Sequence, residues 1–318
     1  MTLLLIWIAF LMDLFIGDPY SWPHPVKAIG HYISAFQRTL VTDSQTKTMK
    51  YVLGTLLWGT TVFGTGVITW CLLVIGYKIH PILGHVLTVY LSYTTLATKS
   101  LAFEGKKVAR TLENGSIEDA RHQVGMIVGR DTSQLTKEEI ATATIETIAE
   151  NTSDGVIAPM LCLFIGGPIL AMMYKAVNTL DSMVGYVTPT YKEIGCVSAV
   201  MDDIWNLIPA RISYILIGLS SVCLQMNPKQ AFKIGWRDHK KHKSPNGGYL
   251  EAVAAGALGI QLGGSHVYHG VEIYKPTIGD PLRQVDDTDI FKMNQLLYVA
   301  SWLGMMLFTL IYSLFLYL

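Results

Sequence analysis

Residues 51–76, YVLGTLLWGTTVFGTGVITWCLLVIG, form an unbroken run without a charged side chain. A bilayer core about 30 Å thick takes roughly 20 apolar residues as helix, so this run predicts a membrane span. Two further stretches, 82–103 and 297–318, have the same length and character, the last with Trp302 and Tyr312 as candidate interface anchors. Residues 3–16 are apolar but shorter and contain Asp13. The composition agrees: 51% of residues are hydrophobic and 15% are charged, against about 25% charged in a soluble domain. The leading segment lacks a basic stretch and a small-residue cleavage site, which predicts that it is retained.

Two more apolar runs carry helix-breaking residues. Gly166, Gly167 and Pro168 interrupt 156–174, while 204–224 contains Pro209 and Arg211, so each is a candidate discontinuous helix. These two segments are expected to pack together inside the protein. The short run AVAAGALGIQLGG at 252–264 suits a re-entrant or packed helix. The expected fold class is therefore all-α: a polytopic helical membrane protein with broken or re-entrant segments and helical cytoplasmic loops. No repeat or low-complexity tract divides residues 1–318, which read as one membrane domain.

Charge distribution gives the orientation. Loops 17–50, 104–155 and 225–296 hold four, six and nine of the 24 Lys and Arg residues, and by the positive-inside rule they are cytoplasmic. Net charge is zero, with no global field to attract nucleic acid. Four cysteines without CxxC or Cys/His spacing indicate neither a disulfide framework nor a zinc site. Within 104–155, Ser116 and Thr136 are helix starts, and Glu139 completes a capping box with Thr136.

Four polar clusters are candidates for chemistry. ETIAENTSDG places Glu146, Glu150, Asn151 and Asp154 at a helix end that runs into an apolar segment. Carboxylates at that density suit Mg²⁺, which takes a few carboxylates with phosphate and water; the alternative is a solvated helix end. In YKAVNTLDSMVGY, Lys175, Asn178 and Asp181 fall on one helical face, as a polar site or as a snorkelling lysine with a capping aspartate. GDPYSWPHPVKAIG sets Asp18 and His24 in a proline-stiffened turn, where a lone histidine is more often structural. GWRDHKKHKSPNGGYLEA joins Arg237, Lys240, Lys241 and Lys243 to a glycine-rich turn and a helix start, either an anion receptor or a lipid-touching basic stretch. Arg130, beside Asp131, is a surface pair that could also reach a phosphate. No P-loop, dinucleotide fingerprint or nucleophile elbow occurs.

In this order, and between these apolar segments, the four motifs resemble the adenosylcobinamide-phosphate synthase family of cobalamin biosynthesis. The resemblance covers nearly the whole chain, most specifically ENTSDG followed by an apolar run and NTLDSMVGY. It implies an ATP- and Mg²⁺-dependent ligase of the inner or plasma membrane, its active site facing the cytoplasm. Adenosylcobyric acid and (R)-1-aminopropan-2-ol phosphate, or a related amino alcohol, would be joined through an acyl phosphate. On that resemblance the catalytic candidates are Glu146, Glu150, Asp154, Lys175, Asp181 and His24, the last as a proton shuttle. Metal binding falls to Glu150, Asp154 and Asp181. Substrate and phosphate binding fall to Arg130, Asn151, Asn178, Arg237, Lys243, Ser244 and Asn246. The partners are these substrates and membrane lipid, with a homo-oligomer or other membrane enzymes of the pathway left open. A membrane transporter of a small polar or corrinoid substrate is the alternative, weakened by the absence of an inverted repeat and by polar motifs lying at segment ends.

Overall fold

A computed structural model describes residues 2–19, 21–42, 44–185, 191–268 and 271–317. Tyr20 and Tyr186, which belong to two of the motifs, lie outside the described residues. The chain folds into two compact units, each assembled from segments far apart in sequence. One comprises Met1–Ala97, Ala158–Asn206 and Phe308–Leu318; the other comprises Thr98–Ile157 and Leu207–Leu307.

The first unit is built from α1 (Leu3–Ile16), α2 (Pro25–Leu40), α3 (Lys47–Ile79), α4 (Pro81–Tyr93) and α8 (Ala158–Val184), with parts of two longer helices. Its core joins Ile29 and Ile33 of α2, Leu57 and Val62 of α3, and Met172, Ala176, Val177 and Leu180 of α8. Outside that core, α3 exposes Leu56, Phe63, Val67, Ile68, Trp70 and Ile75. Most of this helix's apolar surface is exposed, as suits a helix that faces lipid. Polar side chains buried in this unit mostly bond their own helix: the Thr61 hydroxyl donates to the Leu57 carbonyl at 2.6 Å and that of Ser92 to the Thr88 carbonyl at 2.7 Å.

Among the described residues, four helices are long and apolar enough to cross a membrane: Lys47–Ile79, Lys137–Val184, Cys196–Cys223 and Asp287–Phe315. The span expected at 82–103 is not among them. Helix α4 stops at Tyr93, residues 94–97 form a buried turn, and α5 (Thr98–Asn114) begins anew. The cause is local: the Thr94 and Thr95 hydroxyls donate back to the carbonyls of Leu91 and Ser92, satisfying backbone groups that a continuing helix would use.

The expected break in 156–174 is present. Helix α7 (Lys137–Thr152) passes through one π turn, Ser153–Ile157, into α8, and α8 is interrupted at Gly167, whose φ of 64° and ψ of −159° are not helical. Only glycine takes such a conformation without strain, and the following Pro168 removes a backbone donor. The second expected break is not found, since α9 (Cys196–Cys223) runs without interruption through Pro209. Its first part does pack on α8 as expected: the Tyr174 hydroxyl donates to Asn206 Oδ1 at 2.7 Å.

The second unit contains α5, α6 (Ile117–Gly125), α7, α10 (Pro228–Asp238), α11 (Gly247–Leu258), a β-hairpin and most of α12 (Asp287–Tyr317). Ser116 caps α6, and the Thr136–Glu139 capping box starts α7, both as the sequence predicts. Helix α11 is buried on every side, consistent with its alanine- and glycine-rich sequence. The packed helix expected at 252–264 ends early. Gly259, at φ 67° and ψ 42°, terminates it, and the chain enters β1 (Gln261–Tyr268), antiparallel to β2 (Val271–Gly279) with a bulge between Leu262 and Gly264.

Candidate functional site

The hairpin bulge gives the second unit its central contact. Gly263, held at φ 86°, directs its N–H at Glu146 Oε1 of α7, 2.9 Å away. Arg130 donates to the other carboxylate oxygen of Glu146, and both side chains of this ion pair are almost fully buried. Arg130 is therefore an internal counter-ion, not a member of a surface pair with Asp131. From Glu146 the charges continue. Lys275 Nζ of β2 stands 4.0 Å from Glu146 Oε2 and 3.6 Å from Glu251 Oε1, and His242 Nε2 lies 3.4 Å from the same Glu251 oxygen.

These residues form an alternating array of guanidinium, carboxylate, ammonium, carboxyl and imidazole. Glu251 is 1% exposed, and burial, reinforced by the negative charges of Glu146 and Glu150, pushes its carboxyl up to about 8. Burial and the nearby Lys275 charge lower the His242 pKa, which favours the neutral imidazole. Its Nδ1 accepts from the Ser244 N–H at 3.0 Å, which places the ring proton on Nε2, facing Glu251.

The SPNGG turn positions this end of the array. Ser244 Oγ accepts from the N–H groups of Asn246 and Gly247, each at 3.2 Å, and so caps the start of α11 internally. A side chain at position 247 would come 3.1 Å from His242 Cε1 and 3.4 Å from Glu150 Oε1, so glycine lets α7 and the turn approach closely. Arg211 of α9 donates to Asn246 Oδ1 at 2.5 Å, and its guanidinium carbon lies 4.5 Å over the Tyr249 ring, which stacks on His239. The helix expected to break near Pro209 and Arg211 thus uses that charge to fix the turn.

Other candidates serve mainly as struts. Arg237 pairs with Asp238 at 2.7 Å and Asp280 at 2.9 Å. Burial pushes the Asp238 carboxyl up, but Arg237, the Gly279 N–H and Lys241 outweigh it and hold the group well below the usual carboxylate range. Arg237 therefore ties α10 to the hairpin, whereas Lys243 is exposed. Glu150, Asn151 and Asp154 are half-buried, with Asn151 donating to the Thr147 carbonyl at 2.9 Å. Asp154 sits on the π turn, a distortion common at functional sites.

In the first unit, Lys175, Asn178 and Asp181 form the predicted half-buried strip on α8, opposite the core face of Met172, Ala176 and Leu180. His24 caps α2, its Nδ1 accepting from the Val26 N–H at 3.3 Å, while Nε2 lies 3.4 Å from Asp18. The sequence candidates are thus divided, with His24, Lys175, Asn178 and Asp181 in the first unit and the rest in the second. Among the described residues, no group of three His, Cys, Asp or Glu side chains is arranged to hold a metal ion unaided.

Sequence reasoning missed Glu251, His242 and Lys275. Glu251 carried a signal, as the one charge at the head of the apolar stretch AVAAGALG, where a lone ionisable group is expensive. His242 was hidden in a basic run, and nothing local marked Lys275.

Long apolar helices with lipid-facing surfaces, together with a buried ionic array, define a polytopic helical membrane protein carrying a polar site. Residues 6–297 match the model of the CobD/Cbib protein family. The chain is 56% identical to "Cobalamin biosynthesis protein CobD" of Streptococcus sanguinis (strain SK36), over 98% of each chain. It is 51% identical to the protein of the same name from Listeria monocytogenes serotype 4b (strain F2365), over 99% of each, and 45% identical to "Cobalamin biosynthesis protein CbiB" of Salmonella typhimurium, over 96% of each. The chain belongs to the CobD/CbiB family, whose named members support a role in cobalamin biosynthesis. No solved structure matches it.

Proposed function

We propose that this chain is an adenosylcobinamide-phosphate synthase, an ATP-dependent ligase that joins a carboxylate of adenosylcobyric acid to (R)-1-aminopropan-2-ol phosphate or a close analogue. The observation that carries this reading is the buried array of Arg130, Glu146, Lys275, Glu251 and His242 in a protein of the cobalamin-biosynthesis family. Buried alternating charges are costly to assemble and are expected where chemistry requires them.

A carboxylate does not condense with an amine at neutral pH until one of its oxygens becomes a leaving group. Transfer of a phosphoryl group from ATP supplies that leaving group, and the amine then displaces phosphate from the acyl phosphate. Cationic side chains around the transferring group stabilise its charge, a role suited to Lys275 and Lys243, with Arg130 fixing Glu146 behind them. Mg²⁺ prefers one or two carboxylates with phosphate oxygens and water, so two carboxylates of this unit would suffice for a nucleotide-bound ion. Glu150 and Asp154, half-buried carboxylates one turn apart in the second unit, would hold it, while Glu146 is bonded to Arg130 and Gly263. Bound there, the ion would neutralise phosphate charge. The basic loops orient this unit toward the cytoplasm.

The test is direct ligation by purified protein in detergent. Adenosylcobyric acid, the amino alcohol phosphate, ATP and Mg²⁺ should yield the amide, with one ADP and one phosphate formed per bond. Amide formation without nucleotide, or nucleotide-driven accumulation of unchanged corrinoid in vesicles, would replace this reading with another.

A further inference from the structure

Glu251 differs from every other member of the array in how its two oxygens are used. Oε1 is held from two sides, by Lys275 Nζ at 3.6 Å and His242 Nε2 at 3.4 Å. Oε2 is buried and has no hydrogen-bond partner among the described residues. A buried polar atom without a partner is uncommon in a folded protein and calls for a function. The arrangement is that of an oriented base, one atom anchored and the other enclosed with its acceptor capacity unused.

We infer that Glu251, through Oε2, accepts the proton that the amine substrate loses as the amide forms. This deepens the ligase reading and rests on it. The amino alcohol arrives as an ammonium, which has no lone pair with which to attack. One N–H bond breaks, its proton passes to Oε2, and the released electron pair forms the C–N bond while the acyl C–O bond to phosphate breaks. The second proton leaves the new amide nitrogen with phosphate, and Glu251 returns its own proton to water between turnovers. Burial beside Glu146 and Glu150 raises the basicity of the carboxylate, whereas Lys275 and Arg130 oppose that rise and keep proton release feasible near neutral pH. His242 and Lys275 act as positioning residues that direct Oε1 away from the substrate.

Hydroxylamine separates this role from a structural one, because it is largely uncharged at neutral pH and attacks acyl phosphates without a base. Wild-type protein should form both the natural amide and, with hydroxylamine, the corrinoid hydroxamate, each dependent on ATP. Glu251→Gln should lower amide formation by about 100-fold or more while hydroxamate formation stays within a few-fold of wild type. His242→Gln, at a more exposed position, should show the same selective loss at about 10-fold and provides the result if the first variant does not fold. Equal loss of both products in His242→Gln and in folded Glu251→Gln, or retention of both, would overturn the assignment. Absence of both products in wild-type protein would instead overturn the ligase reading beneath it.

Discussion

The two units bury polar groups in opposite ways. In the first, buried hydroxyls such as Thr61 and Ser92 return to carbonyls of their own helix, so these groups are satisfied before the helices pack. In the second, Arg130, Glu146, Lys275 and Glu251 draw partners from other elements, one of them a backbone N–H from a hairpin more than a hundred residues downstream. A helix that carries its own partners suits a membrane, where nothing else supplies them. A network that needs its neighbours couples fold to chemistry, and the loss of one member leaves another exposed in a low-dielectric interior.

The largest expected effect follows from that contrast. Arg130→Met strands the buried Glu146 carboxylate and should destabilise the protein by about 3–5 kcal/mol, whereas Thr61→Val in the first unit should change stability by roughly 1 kcal/mol or less. Thermal unfolding in one detergent compares them. Similar midpoints for the two variants would break the distinction between the units.

A smaller effect, of opposite sign, concerns Glu251. Its carboxyl is raised from 4.5 to about 8 in the folded protein, so between those values the unfolded chain has released a proton that the folded chain retains. Stability contributed by the protonated form is complete below about 4.5 and declines as pH rises through 8. Glu251→Gln mimics the protonated form permanently and should be more stable than wild type at pH 9, with a much smaller difference at pH 5. Unfolding midpoints at the two pH values check the sign. A variant less stable than wild type at pH 9 would show that the ionised carboxylate is well compensated by Lys275.

The same contrast explains what the sequence disclosed. Features governed by neighbours in the chain were legible: the Ser116 cap, the Thr136–Glu139 capping box, the break at Gly167, and the one-faced strip of Lys175, Asn178 and Asp181. The false span at 82–103 arose because hydropathy counts apolar residues and ignores hydroxyls that end a helix by bonding backward, as Thr94 and Thr95 do. The hairpin was missed because Gly263 and Gly264 read as small packing residues, although their positive φ angles build the bulge that meets Glu146. Glu146 itself was found within ETIAENTSDG. Its partners Lys275 and Arg130 became related to it only through the folded chain, and Arg237, which looked like a phosphate ligand, was already committed to Asp238 and Asp280.

The claim that ties these observations together is that carboxylates of the second unit carry an ATP-driven ligation. Glu150 and Asp154 test it most directly, since both are half-buried and so can be neutralised without emptying the core. Ligation rate is measured against Mg²⁺ concentration for wild type, Glu150→Gln and Asp154→Asn, each confirmed as folded by its unfolding midpoint. The account predicts a fall of about 10- to 100-fold in both variants, with a higher Mg²⁺ requirement. Wild-type rates with unchanged Mg²⁺ dependence would reduce ENTSDG to an ordinary helix end and contradict the assignment of the chemistry to this unit.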